Sequence, residues 1–174
     1  MTRKRLPVAR KIALGLLSTL MAAPALAGPA EVDLLSSYVG KWSGEGVLVG
    51  GNAPEPFRCR LTVAKGNQAR INYSGRCSLV SMNLSVACTI AFDDASQRYQ
   101  AAMSSNAGFT GLAIGRMSGE TISFDLTEKQ RDRGGNDVRI GSRIRLIADT
   151  ITVDFEVEFN NSGEILTASV PFAR

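Results

Sequence analysis

The chain has 174 residues, no histidine, and 20 Lys and Arg against 16 Asp and Glu. The lack of histidine excludes a Ser-His-Asp or Cys-His triad, a histidine-rich metal centre and a haem held by histidine. The remaining residues form no recognisable catalytic constellation. We therefore expect a binding protein that needs no cofactor or metal, and not an enzyme.

Residues 1–27 have the organisation of a secretory signal peptide. A basic start is followed by a mostly apolar run of 12 residues from Ile12 to Ala23 and by a small-x-small site that ends at Ala27. The run is too short to span a bilayer and no cysteine follows the site, so we expect neither a membrane anchor nor lipidation. Cleavage after Ala27 predicts a periplasmic or secreted protein.

Cleavage also changes the charge that a partner would meet. The predicted signal peptide contains five of the 20 basic residues and none of the 16 acidic ones, which leaves residues 28–174 with a formal net charge of −1. The basic character therefore belongs to the precursor, and nothing indicates a nucleic-acid partner. At this length we expect a single domain over residues 28–174 with a sizeable core.

The first predicted elements are a short helix and a strand that contains the only tryptophan. Apolar residues recur at helical spacing over residues 31–39, which predicts a short helix that Gly40 ends as a C-cap. Trp42 follows at the start of the first strand. If its side chain points inward, Gly44 and Gly46 lie on the same face and leave room beside the indole.

The rest of the chain is a succession of short alternating runs separated by turn residues. It predicts about ten strands, at residues 41–49, 57–65, 70–79, 84–92, 97–104, 109–117, 121–128, 138–148, 151–159 and 164–172. The connections are too short for crossover helices, so the sheet must be antiparallel. We predict an all-β protein, an antiparallel up-and-down β-barrel of about ten strands with a short N-terminal helix.

This order, a short helix, then Gly40-Lys41-Trp42, then short strands to the end, resembles the start of calycin barrels, the superfamily of lipocalins, fatty-acid-binding proteins and nitrobindins. The matching pattern is Gly-x-Trp in the first strand, and the strands downstream agree with it. The resemblance implies a calycin-like barrel. The chain departs from the nitrobindins because it lacks the histidine that holds their haem.

Three cysteines, Cys59, Cys77 and Cys88, match no zinc or redox motif. Folding the second and third strands so that Val63 faces Tyr73 places Cys59 opposite Cys77 and predicts a disulfide between them. The alternative is a Cys77–Cys88 bridge, which a turn after the third strand would permit. We expect the remaining thiol to be a small buried hydrophobe, because no histidine can activate it.

The charges of the last hairpins predict a register. A turn at residues 149–150 places Arg145 opposite Asp154 and Arg143 opposite Glu156 on the outer face. We interpret these as cross-strand ion pairs and not as a metal or phosphate site. An outer-membrane barrel is disfavoured by the short loops, the few aromatic residues and a polar face rich in Arg and Glu.

The predicted inward face is almost wholly apolar, and it includes Leu112 and Ile114 of the sixth strand. A barrel of about ten strands is wide enough for a cavity, which favours noncovalent binding of an apolar small molecule. The candidate ligand-binding residues, with two phenols as polar handles, are Trp42, Tyr73, Tyr99, Met103, Phe124 and Phe155. The alternative is a packed, ligand-free core in an inhibitor or interaction module that contacts an envelope protein through its loops and rim.

Overall fold

A computed structural model describes residues 28–80, 83–131 and 134–174, and the predicted signal peptide of residues 1–27 lies outside the described residues. The described chain contains ten strands and a helix too short to cross a membrane. The elements are α1 (Gly28–Ser37), β1 (Gly40–Leu48), β2 (Glu55–Lys65), β3 (Arg70–Ser78), β4 (Asn83–Asp93), β5 (Arg98–Ser105), β6 (Thr110–Ser118), β7 (Thr121–Arg131), β8 (Asp137–Ile147), β9 (Thr150–Phe159) and β10 (Ile165–Ala173).

The strands form a closed antiparallel barrel in which each strand pairs with its neighbours in sequence and β10 pairs with β1. This confirms the predicted up-and-down barrel. The β1–β10 ladder is short, with Gly44 opposite Phe172 and a separate bridge between Val49 and Thr167. Pro171, which has no N–H to donate, lies where the ladder stops. Closure removes the exposed sheet edges that favour aggregation.

The helix ends earlier than the sequence predicts. It ends at Ser37, and Gly40 is the first residue of β1 instead of a helix cap. The amide of Tyr38 donates to the Leu35 carbonyl at 3.2 Å, and the amide of Val39 donates to the Ser36 carbonyl at 3.1 Å. These bonds satisfy the last helical carbonyls in a tight turn before Gly40 is reached.

Inward and outward residues alternate as predicted on most strands, but the prediction for β6 is wrong. Leu112 is 78% exposed and Ile114 is 48% exposed, while Gly115 faces the interior. A Cβ atom at Gly115 would lie 2.5 Å from Cε1 of Phe124 on β7. The large neighbours therefore leave space only for the small residues of β6, and its large residues turn outward.

The predicted register of β8 and β9 is wrong by two residues. Arg143 lies opposite Asp154, and Arg145 lies opposite Thr152. The turn contains residues 148–149 alone, with Ala148 at a φ of 44°. The tighter turn shifts the pairing without exchanging the two faces, because a shift of two residues preserves the side-chain alternation of a strand.

The cysteines pair as the register of β2 and β3 predicts. Val63 lies opposite Tyr73, and Cys59 forms a disulfide with Cys77. Cys88 is a free, buried thiol on β4, directly opposite Tyr73. The alternative bridge between Cys77 and Cys88 is therefore not formed.

Candidate functional site

The two ends of the barrel differ in how they are covered. We call the end at which β1 begins the closed end, because α1 packs against β3 and β4 there. Leu35 and Tyr38 from this segment are each only 1% exposed. We call the opposite end, which carries the loops at residues 49–54 and 106–109, the open end. The helix therefore covers the closed end, which forms the floor of the barrel, and loops form the mouth at the open end.

Trp42 anchors the closed end. Its indole Nε1 donates to the Tyr38 carbonyl at 2.9 Å, so the buried N–H is satisfied. The Arg174 guanidinium lies 4.6 Å from the centre of the Trp42 ring, and it also donates to the Ser37 carbonyl. These contacts tie the helix, the first strand and the last residue together.

A cavity of about 300 Å³ lies inside the barrel. It extends from Tyr38 at the floor to residues at the open end, such as Leu48 and Leu166. Its wall is apolar apart from a few side chains, and its volume is within the range of roughly 300–1,000 Å³ typical of small-molecule sites. The side chains with O–H or N–H groups in its lining are Tyr38, Tyr73, Gln130, Arg131 and Ser142.

Away from the mouth, the polar groups on the wall of the cavity are neutral, as is the Cys88 thiol, which lies opposite Tyr73 on the neighbouring strand. The Tyr73 hydroxyl lies 3.9 Å from the sulfur of Met103. Burial, together with the neighbouring Cys88, raises the pKa of Tyr73 well above its ordinary value. Burial also raises the pKa of the Cys88 thiol to about 11. Both groups therefore stay protonated at neutral pH, and the Tyr73 phenol is available as an uncharged hydrogen-bonding group.

Among the described residues that line the cavity, charged and amide groups lie only at the mouth. Gln130 and Arg131 are the last residues of β7, and Gln130 Nε2 donates to the Thr110 carbonyl. The Arg131 guanidinium pairs with Asp137 at 3.1 Å, with both side chains mostly exposed. A ligand with a polar end is therefore best accommodated with that end at the mouth, because burying a charge deeper would carry a large desolvation penalty.

The site residues predicted from the sequence fall into two groups. Tyr73, Met103 and Phe155 line the cavity, whereas Trp42 and Tyr99 are buried outside its lining. Phe124 is also outside it and borders a small cleft against β6 instead. The structure brings the first three together, and the ligand-binding role of all six stays a prediction.

The site predicted from the sequence lacks the Arg174 contact and four polar cavity residues, Tyr38, Gln130, Arg131 and Ser142. Ser142 has inward parity on β8, which is the signal that could have found it, and it is the buried polar side chain of the described barrel. Gln130 has inward parity on β7, but its position at the end of a strand obscures the alternation. Arg174 directly follows β10, and β10 pairs with β1 when the barrel closes. Closure is therefore the signal that could have placed Arg174 near Trp42.

The arrangement is suited to enclosing an apolar molecule. The free thiol of Cys88 is 3% exposed, and its raised pKa keeps it in the unreactive protonated form. No three His, Cys, Asp or Glu side chains come together as a metal site within residues 28–80, 83–131 and 134–174. Noncovalent burial of apolar surface is the chemistry that the cavity supports.

No protein-family model and no curated protein match this chain. Several solved structures are similar, and two of them cover most of this chain. The crystal structure of Rv2717c from M. tuberculosis has a TM-score of 0.63 and 14% identity, covering 84% of this chain and 97% of that one. The S-type phycobiliprotein lyase CPES from Guillardia theta has a TM-score of 0.53 and 13% identity, covering 80% and 89%. At such identities the similarity concerns the fold alone, a closed antiparallel β-barrel.

Proposed function

We propose that this chain is a periplasmic calycin-like protein that binds an apolar small molecule noncovalently inside its barrel. The apolar cavity of about 300 Å³ is the observation that carries the proposal. Filling such a cavity removes apolar surface from water, which is favourable by about 25 cal/mol per Å². The cavity favours this proposal over the alternative from the sequence, an interaction or inhibitor module with a packed, ligand-free core.

The cavity also defines the chemistry of the ligand. Its body is apolar, since aliphatic and aromatic side chains form nearly all of the wall. It carries at most one or two neutral hydrogen-bonding atoms, which Tyr73 or Ser142 would meet. The periplasmic location rests on the predicted signal peptide and on the Cys59–Cys77 disulfide, which suits an oxidising compartment.

A fluorescence titration with the neutral apolar probe N-phenylnaphthylamine tests this proposal. Ala168 lines the cavity opposite Phe155, so Ala168→Phe fills it. Ala87 is exposed on the outer wall of β4, which makes Ala87→Phe the matched control. We expect the wild type and Ala87→Phe to bind alike, and Ala168→Phe to bind at least about tenfold more weakly, a difference of about 1.4 kcal/mol.

Equal probe binding by the wild type and Ala168→Phe, or no binding by the wild type, would overturn the proposal. The milder Ala168→Val replaces Ala168→Phe if the larger side chain prevents folding. Native mass spectrometry of the protein purified from its host then identifies the natural occupant. A small mass released on denaturation supports a carrier, whereas a defined complex with an envelope protein supports the interaction module.

A further inference from the structure

Three arginines of β8 pair with carboxylates on the outer wall of β7, β8 and β9. Arg143 of β8 binds Asp125 of β7, and the Arg145 guanidinium lies 2.8 Å from the carboxylate of Asp154 on β9. Each pair joins neighbouring strands. Because exposed ion pairs contribute little net stability, their main consequence here is a wall whose charges cancel locally.

The outer wall of β2 and β3 is arranged differently. Arg60 lies directly opposite Arg76, and the next positions on β1 and β4 are Ser43 and Ser85. Within the described part of the chain, neither arginine has a carboxylate partner. Like charges directly opposite each other destabilise a sheet, so this rung is unfavourable until an anion lies over it.

The adjoining rung is closer to neutral. Arg58 lies opposite Glu45, and its Nε lies 2.8 Å from the carboxylate, with both side chains more than two thirds exposed. Ser78 continues this rung on β3. Lys41, Lys65 and Arg70 on the same wall also lack a carboxylate partner among the described residues, but they lie near the closed end. Arg60 and Arg76 are therefore the unpaired cations of this wall that lie nearest the open end.

Exposed apolar side chains lie beyond these rungs, at the open end. Val47, Val49 and Ile165 are 46%, 42% and 45% exposed, and Val80, just after β3, is 86% exposed. Val47 lies opposite Pro56 of β2. Pro56 is four residues from Arg60 in the sequence, which is roughly 13 Å along the strand.

We propose that this face docks on a lipid bilayer that contains anionic lipids. This docking face consists of an apolar row, Val47, Val49, Val80 and Ile165, and a basic pair, Arg60 and Arg76. The apolar row enters the interfacial region, which amphipathic segments penetrate by about 5–10 Å. At that depth the two arginines lie near the level of the lipid phosphates, where their charges are favourable.

The docking face borders the mouth of the cavity. Leu48 lies between Val47 and Val49, and Leu166 follows Ile165, and both leucines line the cavity. Alternation along β1 and β10 therefore places bilayer-facing and cavity-facing side chains next to one another. An apolar ligand would pass between bilayer and barrel with little exposure to water. Docking goes beyond ligand binding and does not depend on it.

Vesicle flotation of the protein purified from its native host tests the proposal. One set of vesicles contains phosphatidylcholine alone, and the other contains phosphatidylcholine and phosphatidylglycerol in equal parts. We expect binding to the mixed vesicles that weakens as salt is added, and much weaker binding to the neutral ones. A protein that stays off both kinds of vesicle would overturn the proposal.

Two double variants with the same charge change locate the contact. Arg60→Gln with Arg76→Gln should weaken binding to mixed vesicles by about thirtyfold. The control is Arg98→Gln with Arg116→Gln, which removes two exposed cations near the closed end and should change binding by less than about threefold. An equal fall in both variants would overturn the proposal, because it would indicate attraction without a defined face.

The apolar row has its own test. Val49→Ser with Val80→Ser should weaken binding to mixed vesicles while leaving its salt dependence unchanged, because no charge is removed. Unchanged binding would overturn the role of the row. If the arginine and valine variants instead lose a complex with an anionic protein and the vesicle binding is unaffected, the face belongs to that partner and the bilayer proposal is wrong.

Failure of docking is distinguishable from failure of the cavity proposal. The Arg60→Gln, Arg76→Gln variant should bind N-phenylnaphthylamine as the wild type does, since both arginines lie on the outer wall. Conversely, Ala168→Phe should lose the probe and still float with mixed vesicles. Loss of both properties in either variant would indicate misfolding, which far-ultraviolet circular dichroism against the wild type would detect.

Discussion

The closed and open ends of the barrel use the same alternation of apolar residues for different purposes. At the closed end α1 covers the strands, and Leu35, Tyr38 and Trp42 are each 3% exposed or less. At the open end Leu48 and Leu166 have the same inward parity, but they are half-buried and line a cavity. Alternation therefore determines which residues face inward. Whether they pack depends on a further element that fills the space between the strands.

The largest expected effect is at the closed end. Trp42→Ala removes the indole bond to the Tyr38 carbonyl and the surface on which Arg174 stacks. We expect the free energy of unfolding to fall by about 3–5 kcal/mol, as for other buried aromatic residues replaced by alanine. Urea denaturation followed by circular dichroism measures the change.

The matching deletion at the open end is Phe155→Ala. Phe155 is half-buried, lines the cavity and lies with its ring centre 5.9 Å from that of Phe109. Because one side of the ring already borders empty space, fewer contacts are lost. We expect a cost of less than about 2 kcal/mol. A cost equal to that of Trp42→Ala would contradict the distinction between a packed end and a hollow one.

The disulfide has the second largest expected effect, after Trp42→Ala. It joins β2 and β3 across a sequence separation of 18 residues, and Cys77 lies on the wall of the cavity. Replacing both Cys59 and Cys77 by alanine should lower the free energy of unfolding by about 3 kcal/mol. The wild type in a reducing buffer should show a similar loss. An identical stability of the oxidised and reduced wild type would contradict a stabilising bridge.

The buried thiol between the two ends predicts a pH dependence. Burial raises the pKa of Cys88 from 9.0 to about 11. The stabilisation is complete below pH 9, where the thiol is protonated in both states, and is lost as the pH rises toward 11, because only the unfolded chain releases its proton readily. The loss is on the order of 2 kcal/mol.

Urea denaturation at several pH values between about pH 8 and pH 11 measures this loss. The control is Cys88→Ala, whose free energy of unfolding should decline less steeply over the same interval. Tyr73 contributes a loss of the same sign in both proteins, since its pKa is also raised by burial. A decline of equal slope in the two proteins would show that Cys88 does not titrate differently in the folded and unfolded states.

Much of the fold follows from local patterns in the sequence. The turn residues bound the strands closely, and the register of β2 against β3 is sufficient to place Cys59 beside Cys77. The register of β8 against β9 does not follow so directly. Ala148 has a φ of 44°, a conformation that Gly, Asn and Asp adopt most readily. An alanine at this position therefore gives no sign of a two-residue turn.

The contents of the barrel are less predictable because they depend on volumes summed over many strands. The inward face of each strand can be read from its own residues, but the empty volume is what remains after α1 and all ten strands are in place. This explains why the sequence identified Tyr73, Met103 and Phe155 as inward residues near a ligand while also assigning Trp42 and Tyr99 to it. Large aromatic residues that fill a floor have the same parity as those that line a cavity.

The orientation of β6 depends both on its own sequence pattern and on the volumes of its neighbours. One of its residues has the smallest expected effect. Along β6 the large apolar residues Leu112 and Ile114 alternate with Gly111, Ala113 and Gly115. Over this stretch, either orientation of the strand therefore puts uncharged residues on the inner face. The structure turns Leu112 outward, and Leu112→Ala should therefore change the free energy of unfolding by less than about 0.5 kcal/mol. Gly115→Ala should cost about 1–3 kcal/mol, because its new methyl group would collide with Phe124 and Tyr99. With the opposite orientation, Leu112→Ala would cost about 2–5 kcal/mol and Gly115→Ala almost nothing.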